Sequence, residues 1–194
     1  MNEGERRESA RPAVTGADRL PGDPTREEMI ARMIRVDHAG EYGAKRIYDG
    51  QLAVLGRSGS APTIREMAEA EQAHLDTFDN LLAERRVRPT ALSPVWHVAG
   101  FALGAASALL GERAAMACTV AVEEVIEEHY EGQAQRLGDD EAELRQTLEE
   151  FGADEARHRE TGLAHGAERA PGYEALSAAV KRGTRLAIWL SERI

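Results

Sequence analysis

The chain carries the motif Glu-x-x-His twice, at Glu71–His74 and Glu155–His158, and around these motifs it nearly repeats itself. Glu41 through Gln51 falls on Glu123 through Gln133 at an offset of 82, with Glu41/Glu123, Tyr48/Tyr130, Asp49/Glu131, Gly50/Gly132, Gln51/Gln133, Leu55/Leu137 and Gly56/Gly138 in register. The two Glu-x-x-His motifs follow at an offset of 84. Glutamate and histidine three residues apart share one face of a helix. Two such helices, each paired with a helix giving one glutamate, supply four carboxylates and two imidazoles, the ligand set of di-iron and di-manganese bundles. The repeat therefore predicts two like helix pairs, over about residues 36–78 and 118–162, packed about a pseudo-two-fold axis.

The repeat also selects residues. Glu123, Glu124, Glu127, Glu128 and Glu131 would alone read as a solvated acidic face, but only Glu123 has a glutamate at its matching position, Glu41. One Glu-x-x-His is commonplace on exposed helices; two copies with glutamates at matched distances are not. The candidate metal ligands are Glu41, Glu71, His74, Glu123, Glu155 and His158. Carboxylate oxygen and imidazole nitrogen suit iron or manganese, and four carboxylates offset the charge of two divalent ions. Ligating histidines usually donate their second ring N–H to a carboxylate or carbonyl; Asp37 and Asp154 are candidates, equally readable as surface aspartates. Tyr48 and Tyr130 either line the site or are core tyrosines whose hydroxyls find a partner.

Chain length and composition fit one helical domain. The 194 residues suffice for a single core, and low aromatic content (5%) beside 30% charged residues leans towards helix. A net charge of -10 argues against nucleic-acid binding, which relies on basic groups neutralising phosphates. The single Cys118 builds neither a disulfide framework nor a cysteine-rich metal site. No apolar run follows a basic start, so no secretory signal is expected. Residues 1–24, rich in glycine and proline without hydrophobic period, read as a disordered arm, and residues 25–194 as the di-metal domain. A capping box at Thr25–Glu28 starts a first helix running to Leu55. A second enters through Pro62 and fades near Arg86, a third opens at Ser93-Pro94, and a fourth spans about Glu112 to Leu137. A fifth covers about Asp140 to His165, and a sixth follows Pro171. No stretch shows strand alternation.

Two segments look membrane-seeking. From Pro89 to Gly111 there are 23 residues without a charged side chain, interrupted by proline and glycine. The favoured reading is an apolar helix that dips into one leaflet, with a buried core helix as the alternative. Gly100 and Gly104 on it would admit another helix closely, in a dimer or within the monomer. The last helix sets Lys181, Arg182, Arg185 and Arg193 beside Leu186, Ile188 and Trp189, which reads either as contact with anionic lipid or as a bundle cap with its charges in water.

Arg35-Val36-Asp37-His38-Ala39-Gly40-Glu41-Tyr42-Gly43-Ala44, Glu71-x-x-His74, Ala117-Cys118-Thr119-Val120-Ala121-Val122-Glu123-Glu124, Asp154-Glu155-x-x-His158 and the closing Leu190-Ser191-Glu192-Arg193 resemble the Coq7 family from about Glu27 onwards. The resemblance implies a ferritin-like four-helix bundle with two additional membrane-associated helices. It implies a di-iron monooxygenase that hydroxylates a polyprenylated demethoxyquinol in ubiquinone biosynthesis, using dioxygen and electrons from NADH. The family's six metal ligands fall on the six residues selected by the repeat, and its His-Tyr pair near the site falls on His129 and Tyr130. It further implies a peripheral protein of the inner membrane's cytoplasmic face if bacterial, and leaves room for a homo-oligomer and a lipid-binding partner that delivers substrate. No Gly-x-Gly-x-x-Gly fingerprint follows a strand, so no dinucleotide domain of that kind is expected. The competing functions are a ferroxidase or iron store, which has no use for an uncharged segment, and a non-enzymatic lipid-binding bundle.

Overall fold

The computed structural model describes residues 22–194; the predicted arm lies, up to residue 21, outside the described residues. The rest is all-α. Helices α1 (Arg26–Leu55), α2 (Ala61–Glu84), α3 (Ser93–Leu109), α4 (Glu112–Ala134), α5 (Ala142–Ala164) and α6 (Tyr173–Ser191) follow one another, with short 3-10 turns at Asp139–Glu141 and Ala167–Arg169.

The helix ends follow local chemistry. Thr25 caps α1 through the predicted box: its hydroxyl accepts from Glu28 N at 3.0 Å, and the Glu28 carboxylate accepts from Thr25 N at 2.7 Å. Pro62 lies in the first turn of α2, where its missing N–H costs nothing. Gly111, at φ 108, breaks the chain between α3 and α4 in a conformation that L side chains resist. The fourth helix ends at Ala134, three residues before the predicted Leu137, because its last turn is closed by tighter bonds from Arg136 N to Gln133 O and Leu137 N to Ala134 O.

The chain runs through the same course twice. α1 packs against α2 and α3, and α4 packs against α5 and α6. Glu41 and Tyr48 lie on one face of α1, while Gly43 and Gly50 lie about half a turn round. That second face takes α3 at very short range. A Cβ on Gly104 would stand 1.9 Å from the Ile47 carbonyl oxygen, and one on Gly50 2.2 Å from the Phe101 carbonyl oxygen. The Gly100–Gly104 spacing therefore serves helix packing within the monomer.

α3 and α6 run antiparallel, joined where the Trp96 indole donates to Ser191 Oγ at 2.9 Å. Only Gly104, Ser107 and Ala108 of α3 are buried, so α3 is no core helix; Val95, Val98, Leu109 and Leu110 stand exposed at its two ends. Among the described residues no helix is long and apolar enough to cross a membrane. The basic groups of α6 are mostly engaged within the protein: Lys181 pairs with Glu124, Arg185 with Glu128, and Arg193 with Glu192 while stacking over Trp189. Arg182 has no ion-pair partner among the described residues.

Candidate metal centre

α1 and α4 each bring one glutamate, and α2 and α5 each bring a Glu-x-x-His, to one point in the bundle. Glu41, Glu71, His74 and Glu155 place one ligand atom each within 4.8 Å of one another, and so do Glu71, Glu123, Glu155 and His158. Glu71 and Glu155 belong to both groups; Glu41 and His74 complete one, and Glu123 and His158 complete the other. All six candidate ligands are brought together, and all six are buried.

The histidines face inward across the pseudo-two-fold axis. His74 Nδ1 stands 3.3 Å from Glu41 Oε2 and 3.2 Å from Glu155 Oε1. His158 Nδ1 stands 3.1 Å from Glu71 Oε1 and 3.0 Å from Glu155 Oε2. Each imidazole thus meets the glutamate of the opposite Glu-x-x-His helix.

The tyrosines cross the repeats as well. Tyr48 donates to Glu123 Oε1 at 2.5 Å, and Tyr130 donates to Glu41 Oε1. Both rings are buried, and the sequence alone did not say which partner each would take. The repeated glutamines are also internal: Gln51 donates to the Ala115 carbonyl and Thr119 Oγ1, and Gln133 to Asp37 Oδ1. Of the two candidate aspartates, Asp154 meets a histidine of the cluster, but it is His74 of the other repeat, at 3.1 Å from Nε2. Asp37 instead meets His129 at 3.3 Å and Gln133 at 2.8 Å. His129 stands apart from the six candidate ligands, and Tyr130 touches one of them.

Whether these residues suit a metal can be judged from their unmet atoms. Glu41 Oε2, both oxygens of Glu71, His74 Nδ1, Glu123 Oε2 and Glu155 Oε1 are buried without a hydrogen-bond partner. Buried polar atoms are rarely left so, because each forfeits its hydration. These six atoms belong to residues of the two groups, and cations there would satisfy them together. The donor set is the one that suits iron or manganese.

The electrostatics agree. Burial, then the neighbouring carboxylates Glu155, Glu41 and Glu123, push Glu71 well above the ordinary glutamate range. Burial and Glu155 push Glu123 up likewise, against the Tyr48 hydrogen bond. Burial opposes a charge on His74, but Glu155 and Glu41 outweigh it and raise the ring to about 10. Burial would raise Glu155 also, yet His158 and His74 hold it below the ordinary value. Without cations, burial favours the protonated forms of Glu71 and Glu123, and Glu155 and Glu41 favour that of His74.

Behind the face of α1 that carries Gly40 and Gly43 lies an apolar cavity of about 360 Å³, bounded by α1, α3, α4 and α6. Gly40 and Val122 line it and immediately precede Glu41 and Glu123. Ile47, Leu103, Trp96 and Ile188 form much of its apolar wall.

Fold and site together define a class: helical bundles whose core gathers carboxylates and imidazoles that can hold metal ions. The chain belongs to the family described as ubiquinone biosynthesis protein COQ7, whose model it matches over residues 28–191. It is 58% identical over 181 residues to the 3-demethoxyubiquinol 3-hydroxylase of Rhodospirillum rubrum, covering 93% of this chain and 85% of that one. It is 50% identical over 169 residues to the mitochondrial NADPH-dependent 3-demethoxyubiquinone 3-hydroxylase of Homo sapiens, covering 85% and 78%. A mitochondrial 5-demethoxyubiquinone hydroxylase of Saccharomyces cerevisiae is 39% identical over 182 residues.

Proposed function

We propose that this chain is a ferritin-like di-iron monooxygenase that adds a hydroxyl to the ring of a polyprenylated demethoxyubiquinol. The observation that carries this reading is the convergence of Glu41, Glu71, His74, Glu123, Glu155 and His158 on one buried point, with atoms of all but His158 left unmet. The names of the relatives supply the substrate class. They also speak against an iron store.

Iron held by these six residues would supply the two-electron reduction of dioxygen that ring hydroxylation needs. The chain's own part is to hold and shield. Tyr48 and Tyr130 fix one oxygen of Glu123 and of Glu41, leaving the other oxygen of each free to face a cation. Burial keeps bulk water from the reacting centre. The apolar cavity beside Gly40 and Val122 suits the polyprenyl tail, and its small residues leave room for the ring to approach the glutamates. Electrons come from a reduced nicotinamide nucleotide; the Homo sapiens relative's name widens the expected NADH to NADH or NADPH. The described residues contain no strand, so they form no Rossmann-type site for it.

The protein works at a membrane surface in this reading. Val95, Val98, Leu109, Leu110, Leu186 and Trp189 are exposed on or at the end of α3 and α6, two of the four helices that bound the cavity. A tail held in the cavity would thus leave directly into lipid. With most cations of α6 paired, apolar insertion outweighs attraction to anionic headgroups. The protein would then be peripheral, on the cytoplasmic face of the inner membrane in a bacterium. A homo-oligomer or a lipid-binding partner would have to use surface outside the contact between α1 and α3.

The test is the quinone profile of a host lacking its own hydroxylase. Expression of this chain should convert accumulated demethoxyubiquinone to ubiquinone, and Glu71→Ala or His74→Ala should abolish both the conversion and iron loading. Demethoxyubiquinone persisting despite good expression would overturn the proposal.

A further inference from the structure

The pseudo-two-fold symmetry that builds the centre is broken at its edge, and always on the same side. His74 Nε2 lies 3.1 Å from Asp154 Oδ2. The position matching Asp154 in the first repeat, at the offset of 84, is Ala70. Accordingly, His158 Nε2 meets no hydrogen-bond or ion-pair partner among the described residues. A second difference falls in the same place. Asp37 stands one turn before Glu41, buried and hydrogen-bonded by Gln133. Its mate at the offset of 82 is Thr119, which Gln51 meets in the matching way. The half built on Glu41 and His74 therefore has two further carboxylates, and the half built on Glu123 and His158 has alanine and threonine instead.

A carboxylate on the far nitrogen of a ligating imidazole fixes its tautomer, turns the other nitrogen's lone pair to the metal and raises its basicity. Asp154 does this for His74 Nδ1, which already faces Glu41 and Glu155. No described residue does it for His158. Arg157 also pairs with Asp154, but this is an exposed side chain, and its ion pair is screened by water.

We propose that the two metal positions are inequivalent: the one ended by Glu41 and His74 binds a divalent cation about 10- to 100-fold more tightly than the one ended by Glu123 and His158, with Asp154 as the positioning residue. The proposal rests on the di-metal reading above. Metal enters the Glu41/His74 position first, and the weaker position is the one that empties when metal is scarce.

The experiment isolates each position, so that coupling through the shared Glu71 and Glu155 does not blur the result. His158→Ala leaves the Glu41/His74 position, and His74→Ala leaves the other. Metal-free protein of each kind is titrated with cobalt(II) by calorimetry and by the visible absorption of bound cobalt, and its fold is checked by helical circular dichroism. The His158→Ala protein should bind one cobalt about 10- to 100-fold more tightly than the His74→Ala protein. Adding Asp154→Ala should weaken the His158→Ala protein by a similar factor and leave the His74→Ala protein unchanged. Adding Ala70→Asp to the His74→Ala protein should tighten it, by giving His158 the partner it lacks. Equal affinities at the two positions, or an Asp154→Ala effect of equal size on both, would overturn the inequivalence. Absence of any cobalt binding by the unsubstituted protein would instead overturn the di-metal reading itself. Should either histidine variant fail to fold, a two-step cobalt titration of the unsubstituted protein whose first step alone is weakened by Asp154→Ala carries the same test.

Discussion

Tyr48 of the first repeat donates its hydroxyl to Glu123 of the second, at 2.5 Å across the bundle. Tyr130 returns the relationship to Glu41, so each half of the site is oriented by the other. Tyr48→Phe leaves a buried carboxylate oxygen without its donor and opens no cavity. The loss expected in the metal-free protein is about 1–3 kcal/mol, read by urea unfolding. Tyr130→Phe should cost a comparable amount. A variant as stable as the parent would mean that the hydroxyl does not serve the carboxylate.

Asp37 gives a prediction with a definite sign. Burial raises it to about 6 from 3.8, against the lowering hydrogen bonds of His129 and Gln133. An acid with a raised folded pKa binds its proton more tightly in the folded chain. Its contribution is therefore most favourable below about 3.8 and is lost as pH rises through about 6. Asp37→Asn keeps an acceptor for Gln133 and removes the buried charge. It should stabilise the metal-free protein above about pH 6 by up to about 3 kcal/mol, and the gain should fade as pH drops towards 3.8. The check is the melting temperature of both proteins across that range. Destabilisation at neutral pH would mean that the ion pair with His129 outweighs burial.

The close approach of α1 and α3 predicts a contrast between glycines. A Cβ at Gly104 would collide with the Ile47 carbonyl, which is backbone and cannot swing away. Gly104→Ala should therefore force the helices apart and cost at least about 1–3 kcal/mol. Gly132, the repeat mate of Gly50, has nothing within 4 Å of such a Cβ. Gly132→Ala should be neutral or stabilising by about 0.5–1 kcal/mol through helix propensity. Thermal melts of the two variants separate them.

That contrast also shows where sequence reasoning stops. The two-fold repeat exposed the six cluster residues because the same residue types recur at the same helical spacing in both halves. It could not say that Gly50 is held by a helix contact while Gly132 is free, because the contact belongs to α3, which the aligned repeat does not include. Asp154 was visible as a partner for a histidine, but not as the partner of His74, since nothing in the chain order tells which repeat a side chain will cross to. The cations of α6 were legible as charge and not as ion pairs, because Glu124 and Glu128 lie far away in sequence and meet them only once α6 packs on α4. Capping was the most legible of all: Thr25 and Glu28 act within one turn.

The raised His74 ties metal binding to pH. In the metal-free protein Glu155 and Glu41, close to its Nδ1, outweigh burial and raise the ring to about 10 from its ordinary 6.5. A base raised in the folded state contributes stability that is whole below about 6.5 and is lost as pH climbs through about 10. The melting temperature of metal-free protein should therefore fall over that interval. Metal that binds Nδ1 replaces the proton and removes this dependence, so the gain in melting temperature on loading should widen as pH rises. The same exchange requires proton release on loading at neutral pH from His74, and burial shifts Glu71 and Glu123 in the direction that adds to it. Calorimetry in buffers of different ionisation enthalpy measures that release directly. Loading without it, or a gain independent of pH, would place the cation somewhere other than among these residues.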